Sequence, residues 1–467
     1  MGRIAPLPFN RFLGLVNRDY EKIDVDVGKL RLEHDFSEDL SLRNNTQYGR
    51  TYRDSVITAP RLVINPAADP VFGPNTPAAG NSAPGSSGGF VGLNHELQSR
   101  DQSTDIFANQ TDLRYEFNTQ PIEHTLITSL EYSHEREHNY LRSGNLGTPF
   151  PYPAQTSNPL APDPFTPFHP VFRTGARNEA VVDAGGLSMF DTAKINEQWL
   201  VTAGVRGDIF SAAYNQFATN GLQSAKFDRT DIEATWRAGL VYKPLPNGSV
   251  YFGYGTSFNP SAEGLTLNAN LAPLDPEKGS SYEVGTKWDF FDRRLAVGTA
   301  LFRTDKSNYR NTDPTTGIVS TTGDVRVQGI EFEVQGKITD EWSVFGGYAF
   351  MHSEVVKSLT AGEQGNKLSN TPEQTASLFT TYQLPYRITV GTGVVYTDER
   401  FSNNLENRWV PGYILHNALV SWSLNENFSL RLNVNNLWDE EYIDRVGGGH
   451  SIPGTGRTVI LTAMMRF

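Results

Sequence analysis

Gly456-Arg457-Thr458-Val459-Ile460-Leu461-Thr462-Ala463-Met464-Met465-Arg466-Phe467 closes the chain, and its side chains sort into two sets. Val459, Leu461, Ala463, Met465 and Phe467 share one parity, while Thr458, Thr462 and Arg466 share the other. A repeat of two belongs to a β-strand, whose successive side chains point to opposite faces. Working back along the chain, the same stripe recurs at Phe428, Leu430, Leu432, Val434; at Ile330, Phe332, Val334, Ile338; at Val201, Ala203, Val205, Ile209; at Leu113, Tyr115, Phe117; and at Leu30, Leu32, His34, Phe36. Opposite these lie Arg431 and Asn433, then Glu331, Glu333 and Lys337, then Lys29, Arg31 and Glu33. Those faces must be wet, because a buried charge without a partner is costly.

The connections alternate in length. Short polar turns fall near Ser37-Glu38-Asp39, Asn118 to His124, Asn196-Glu197, Pro246-Asn247-Gly248, Asp292-Arg293, Thr339-Asp340-Glu341, Pro385-Tyr386 and Asn425-Glu426-Asn427. Between them lie long loops, the largest from about Ala59 to Arg100 and from about Ser143 to Arg177, both dense in Pro, Gly, Ser and Asn. Short turns at one end and long loops at the other describe a transmembrane barrel with periplasmic turns and extracellular loops. Soluble sandwiches and propellers rarely show that asymmetry.

Composition agrees. Mean hydropathy is -0.42, and no window approaches the roughly 18 consecutive apolar residues of a membrane-spanning helix. A barrel strand keeps its average hydropathy low because only every second residue meets lipid. The chain has no cysteine, which excludes a disulfide scaffold or thiolate metal site, and its formal charge of -12 argues against a nucleic-acid partner. Met1-Gly2-Arg3-Ile4-Ala5-Pro6 has no apolar core of a signal peptide, which an outer-membrane protein requires.

Counting strands this way gives about seventeen, whereas bacterial single-chain barrels have an even number. The first strand, near Lys22 to Phe36, ends in a short turn and so runs downward, which puts Met1 to Glu21 in an extracellular loop and residues 22–467 in the barrel. At least one earlier strand is therefore expected before Met1. Plugged transporters have 22 strands, which would place about five before it and make these strands 6 to 22.

Six stretches of the C-terminal half, YFGYGTSFNP (Tyr251 to Pro260), LDPEKGSSYEVGTK (Leu274 to Lys287), RVQGIEFE (Arg326 to Glu333), LSNTPEQTASLFTTY (Leu368 to Tyr382), NVNNLWDEEY (Asn433 to Tyr442) and GRTVILTAMMRF (Gly456 to Phe467), stand in the order found in TonB-dependent outer-membrane receptors, which the chain resembles. PFNRFLGLVNRDYE (Pro8 to Glu21) and RLEHDFSEDLSLRNNTQYGRTYRDSVITAPR (Arg31 to Arg61) resemble the branch that takes up ferric catecholate siderophores. The resemblance implies an antiparallel transmembrane β-barrel, a bacterial outer-membrane location and a monomer. It also implies a plug in the lumen and a TonB-contacting segment before it, neither of which is seen in this sequence. Partners would be a ferric siderophore, outer-membrane lipid and lipopolysaccharide, and the TonB complex through that N-terminal segment. No cofactor and no catalytic residue is expected, iron being carried only as the ferric-siderophore ligand.

Several motifs suggest other chemistry until their context is read. His134-Glu135-Arg136-Glu137-His138 matches the zinc-protease pattern H-E-x-x-H, which works only on a helix. Here it follows a strand-like alternation from Thr125 to Tyr132, and on a strand four residues span roughly 13 Å, too far for two ligands on one ion. Gly85-Ser86-Ser87-Gly88-Gly89 matches a nucleophile elbow but has Pro, Ala, Asn and Gly at its flanks instead of a buried strand and a helix. Gly447-Gly448-Gly449-His450 reads as an extracellular turn with a candidate ligand histidine.

Trp199, Trp288, Trp342, Trp422 and Trp438 lie near predicted strand ends, where an indole suits the membrane interface, and Trp409 lies in the loop from Arg400 to Gly412. Arg11, Arg18, Arg173, Arg310, Arg400, Arg408 and Arg445 lie in predicted loops. A ferric catecholate is anionic and aromatic, so a guanidinium can pair with its oxygens and stack on its rings. The candidate ligand residues are therefore Arg11, Arg173, Arg310, Arg400, Arg408, Trp409 and His450. The bland alternative is that these arginines are solvated or bridge lipopolysaccharide. Rival readings of the whole are the same fold with a vitamin or saccharide cargo, a passive pore, and a barrel enzyme with Ser, His and Asp at its rim.

Overall fold

The computed structural model describes residues 9, 11–64, 90–144, 156–157, 161–168, 170–260, 272, 274–312, 319–447 and 450–466. Its main sheet has seventeen long antiparallel strands: β1 (Tyr20–Asp35), β2 (Leu40–Ile64), β3 (Phe90–Asn118), β4 (Glu123–Ser143), β5 (Phe172–Lys194), β6 (Trp199–Phe217), β7 (Gln223–Leu245), β8 (Gly248–Asn259), β9 (Glu277–Phe290), β10 (Leu295–Thr312), β11 (Val319–Lys337), β12 (Trp342–Lys357), β13 (Gln374–Leu384), β14 (Ile388–Thr397), β15 (Tyr413–Ser423), β16 (Phe428–Asn435) and β17 (Thr458–Met465). Each pairs with its neighbours in chain order. Among the described residues β1 pairs only with β2, and β17 only with β16. The one helical element described is a single 3-10 turn, Pro385–Arg387.

The turns at one end are those the sequence marks, and the connections at the other are long with two exceptions, five residues between Phe217 and Gln223 and six between Thr312 and Val319. The predicted long loops are shorter than expected. β2 continues to Ile64 and β3 begins at Phe90, so 59–64 and 90–100 are strand, and β5 begins at Phe172 within the loop expected from 143 to 177. These extensions rise beyond the apolar band, where no lipid demands an apolar outward face and the alternation that marks a strand is lost.

Register carries the two faces unbroken round the sheet. Leu30, Thr46, Asn109, Tyr132 and Gly185 lie side by side, as do Val205 with Trp236, Phe252 with Val284, and Leu432 with Leu461. That outward face is apolar and open, Ile232 being 75% exposed. Only lipid or a partner can cover a band of this size. Tyr115, Trp199, Tyr242, Trp288, Trp342, Tyr382 and Trp422 form its lower aromatic girdle, and Tyr48, Phe107, Tyr132, Tyr254, Tyr282 and Phe350 its upper one. From Trp342 to Phe350 is about 26 Å along the strand, roughly 20 Å along the normal at a typical barrel tilt. Trp438 instead lies in the loop after β16, where its ring meets His416.

One patch of the outward band is polar. Asn44, Thr46, Asn109 and Thr111 face lipid but bond to one another, Asn44 Nδ2 donating to Thr111 Oγ1 at 2.7 Å and Asn109 Nδ2 to Thr46 Oγ1 at 2.8 Å. The inward face carries the charges. Arg206 joins Glu131 (2.8 Å) and Asp208 (2.7 Å), while Tyr251 donates to Glu283 at 2.5 Å with its ring over Gly285, where a Cβ would sit 2.5 Å from the ring. The charged inner wall runs from β1 to β11; on β12 to β17 the inward side chains are mostly Gly, Ala, Ser, Thr, Asn and apolar residues, with Arg431 the exception.

Candidate ligand-binding site

At the loop end, segments far apart in sequence are tied together. The loop between β12 and β13 bonds to the loop between β14 and β15: Asn370 N donates to Phe401 O (2.7 Å), Lys367 N to Glu406 Oε1 (2.7 Å), Ser369 N to Asn404 Oδ1 (2.9 Å) and Asn366 Nδ2 to Asn404 O (2.9 Å). That second loop folds back as a short hairpin, Arg400–Phe401 against Trp409–Val410. A second hairpin, Ile443–Gly447 against His450–Pro453, rises from the loop between β16 and β17.

The two hairpins share a small core. Val410, Ile443 and Val446 are buried against each other, and Phe9 from the N-terminal segment packs on them. Arg400 crosses between the hairpins: Nη2 donates to Ile443 O at 2.7 Å and Nη1 to Asp444 O at 3.0 Å. Its guanidinium lies over the ring of Tyr413, which in turn packs on Tyr442 with centroids 4.5 Å apart. Burial pushes the Tyr442 phenol above its ordinary value, with nearby Asp444 adding to the rise.

The N-terminal segment continues from this core to the far rim. Val16 N donates to Pro164 O (3.0 Å), Arg18 donates to Asp19 (3.0 Å) and Thr58 (2.5 Å), and Leu15 is fully buried. Burial works against the Asp19 charge, but hydrogen bonds from Thr58, the Leu15 backbone and Arg18 outweigh it and hold the carboxyl below its usual range. Beside this segment, Asp101 is wholly buried and receives Arg173 (2.6 and 2.8 Å), Arg142 (2.7 and 3.1 Å) and Tyr52 (3.3 Å). Arg142 also reaches Asp54 (2.7 Å) and Tyr20 (3.1 Å), so five strands meet in one ionic cluster.

The candidate residues separate accordingly. Arg400, Arg408 and Trp409 lie on the first small hairpin, the backbone of His450 on the second, and Arg11 two residues past Phe9, so five of the seven belong to segments joined at one place. The His450 side chain lies outside the described residues. Arg408 and Arg11 are exposed, and neither guanidinium has a hydrogen-bond or ion-pair partner among the described residues. Arg445 is exposed beside Asp444.

The other two stand apart. Arg310 is turned into the loop, donating to Pro260 O at 3.0 Å. Arg173 is committed to Asp101 and stacks on Tyr140, on the sheet face that carries Phe107 and Tyr132 lower down. Arg18, also weighed from sequence, is buried.

Sequence reading missed Tyr413, Tyr442 and the Asp101 cluster, none of which has a local signal, since each matters through residues distant in the sequence, up to 122 positions for Arg142 and Tyr20. The H-E-x-x-H stretch lies on β4, as its alternation predicts. His134 and His138 turn outward and bond Asp183 (2.8 Å) and Glu179 (3.4 Å), with no metal-holding group among the described residues. Gly85 to Gly89 lies outside the described residues.

The profile of a family described as TonB dependent receptor-like, beta-barrel matches residues 4–437. A probable TonB-dependent siderophore receptor of Acinetobacter baumannii, PiuA, is 30% identical over 501 residues, covering 100% of this chain and 64% of its own. The catecholate siderophore receptor Fiu of Escherichia coli K12 is 29% identical over 486 residues, covering 96% of this chain and 60% of its own. Among solved structures, the closed form of the ferric-catecholate import receptor Fiu superposes with a TM-score of 0.84 at 27% identity, over 98% of this chain and 66% of that one. The PiuA structure gives 0.83 at 27%, over 99% and 67%. The chain thus spans about two-thirds of the length of these relatives or a little less.

Proposed function

The chain belongs to the TonB-dependent receptor family, and from that premise we propose that it supplies barrel and loops to an outer-membrane receptor for a ferric siderophore of the catecholate type. The observation that carries this reading is the joined hairpin unit. Two guanidinium groups without a partner among the described residues, Arg408 and Arg11, belong with Trp409 to segments that meet at a core anchored by Arg400. An anionic, aromatic complex matches such a surface, because arginine pairs with oxyanions in a plane and stacks on rings. Siderophore receptors among its relatives support the same cargo class, and the family's mode of action points to TonB as the source of energy for the whole protein. No bond in the cargo is made or broken. The outward apolar band and its two girdles support the outer membrane as location.

The test is a titration of the purified chain in detergent with the ferric complex of 2,3-dihydroxybenzoate, read by tryptophan fluorescence. Saturable quenching is expected, reduced several-fold in amplitude by Trp409→Phe and weakened about tenfold in affinity by Arg408→Ala, as for one charged hydrogen-bonded contact. Equal quenching by a ferric hydroxamate of the same charge, or none by the catecholate, defeats the catecholate assignment.

A further inference from the structure

Arg400 is the residue from which the structure says most beyond this reading. Only 7% exposed, it is a buried cation with no carboxylate against it among the described residues. Its two terminal nitrogens are spent on the carbonyls of Ile443 and Asp444, and its Nε is buried and finds no acceptor among the described residues. If stability alone were at stake, an apolar side chain of similar volume would serve as well or better, since burying an unpaired charge costs several kcal/mol. What an apolar residue cannot do is bond two successive carbonyls of another loop in a fixed plane.

We propose that Arg400 is a positioning residue: it holds the Ile443–Gly447 strand against the Arg400–Val410 hairpin, so that Arg408, Trp409, Phe9 and Arg11 present one ligand surface. The geometry supports this from both sides. The carbonyls it grips precede Val446, which with Ile443 and Val410 makes the core on which Phe9 rests. Tyr413, at the start of β15, supplies a fixed ring under the guanidinium, so the clamp is referred to the rigid sheet and not to another loop. The role deepens the proposed function and relies on it for the identity of the ligand, but not for the loop geometry.

The experiment uses the full chain with Arg400→Met and Arg400→Lys, and has two readouts. Without ligand, amide exchange at 443–446 is expected to rise at least tenfold in Arg400→Met, while exchange in β12 and β13 stays unchanged. With the ferric complex of 2,3-dihydroxybenzoate as probe, affinity is expected to fall at least tenfold. The Arg408→Ala effect should then vanish in the Arg400→Met background, because Arg400 acts through Arg408; a merely destabilised fold would leave the two effects additive.

Arg400→Lys keeps the charge but not the two-carbonyl grip, and should resemble Arg400→Met in both readouts. Should Arg400→Lys behave as the unsubstituted chain, or exchange at 443–446 stay within twofold in Arg400→Met, the positioning role is overturned. If the unsubstituted chain fails to bind the probe, the catecholate reading falls while the exchange result still judges Arg400.

Discussion

Replacing Asp101 by asparagine removes the single negative charge on which Arg142 and Arg173 converge, and the consequences can be sized from the surroundings. Arg173 is 53% exposed at its side chain, so its bond to Asp101 counts as a surface pair worth about 0–1 kcal/mol. Arg142 is only 11% exposed and would keep Asp54 at 2.7 Å and the Tyr20 hydroxyl at 3.1 Å. Breaking a buried pair costs about 3–5 kcal/mol, and the surviving Asp54 contact places Asp101→Asn near the lower end, about 3 kcal/mol. That corresponds to a factor of roughly 150 in a local opening equilibrium.

Asp101 sits six residues past Phe107 of the upper girdle, about 20 Å along the strand and outside the membrane band. The loss should therefore appear as fraying of the rim, with exchange at 98–103 and 136–142 quickened up to that factor and 111–117 unaffected. Acid should reproduce it. Burial tends to raise the Asp101 pKa, but hydrogen bonds from Arg173 and Arg142 outweigh that and leave it below the ordinary value near 3.9. A depressed carboxyl contributes fully above its unfolded pKa and loses that contribution as pH falls through the folded one. Rim protection should hold at about pH 4, decline below it, and show no such decline in Asp101→Asn. Exchange at 98–103 within threefold of the unsubstituted chain, or equal loss at 111–117, refutes the local cluster.

Two further substitutions test the faces. Leu130→Arg puts a charge on the outward face and should cost about 2–4 kcal/mol in a urea unfolding titration in lipid vesicles, whereas Ser133→Arg on the inward face should cost under about 1 kcal/mol; equal costs would mean the faces are misassigned. On the polar patch, Asn109→Leu removes a partner from Thr46, Thr111 and Asn44 at once and should cost about 1–2 kcal/mol, while replacing all four members together, Asn44→Leu, Thr46→Val, Asn109→Leu and Thr111→Val, should recover most of it, because the whole set removed leaves no orphan; a quadruple variant no more stable than the single shows that the patch is solvated by something other than itself.

The sheet was legible because the bilayer imposes a strict code on it. One face must be apolar for about ten residues, backbone groups must pair, and only turns and loops can interrupt, so parity and connection length reveal seventeen strands. Where the bilayer ends, so does the code. Residues 59–64 and 90–100 read as loop in the sequence because nothing there demands alternation, and they are strand because a hairpin once begun propagates its pairing. β1 shows the same boundary within one strand. Leu30 and Leu32 face out while Ile23, Val25 and Val27 face in, although register is continuous from Tyr20 to Asp35. The change of parity marks the height at which outward apolar residues cease to be required.

The loop end followed another logic, and its arginines show why residue type was an insufficient guide there. A guanidinium has five donors and the same charge wherever it lies, so Arg310, Arg400 and Arg408 look equivalent in sequence. In the fold, Arg310 and Arg400 give terminal nitrogens to the carbonyls of neighbouring loops, whereas Arg408 gives none to any of the described residues. Which of these occurs depends on where other loops place their carbonyls, and Ile443 and Asp444 lie more than forty residues from Arg400. Yet the two uses are not independent. A charged group can recognise an anion sharply only if it is held in place before the anion arrives, and long loops lose that order unless something fixes them. A buried arginine spent on carbonyls is the fixture, and an exposed arginine is what it holds ready. On that argument the costly, half-satisfied cation at Arg400 and the open one at Arg408 are parts of a single device, so substituting either should be felt at the other.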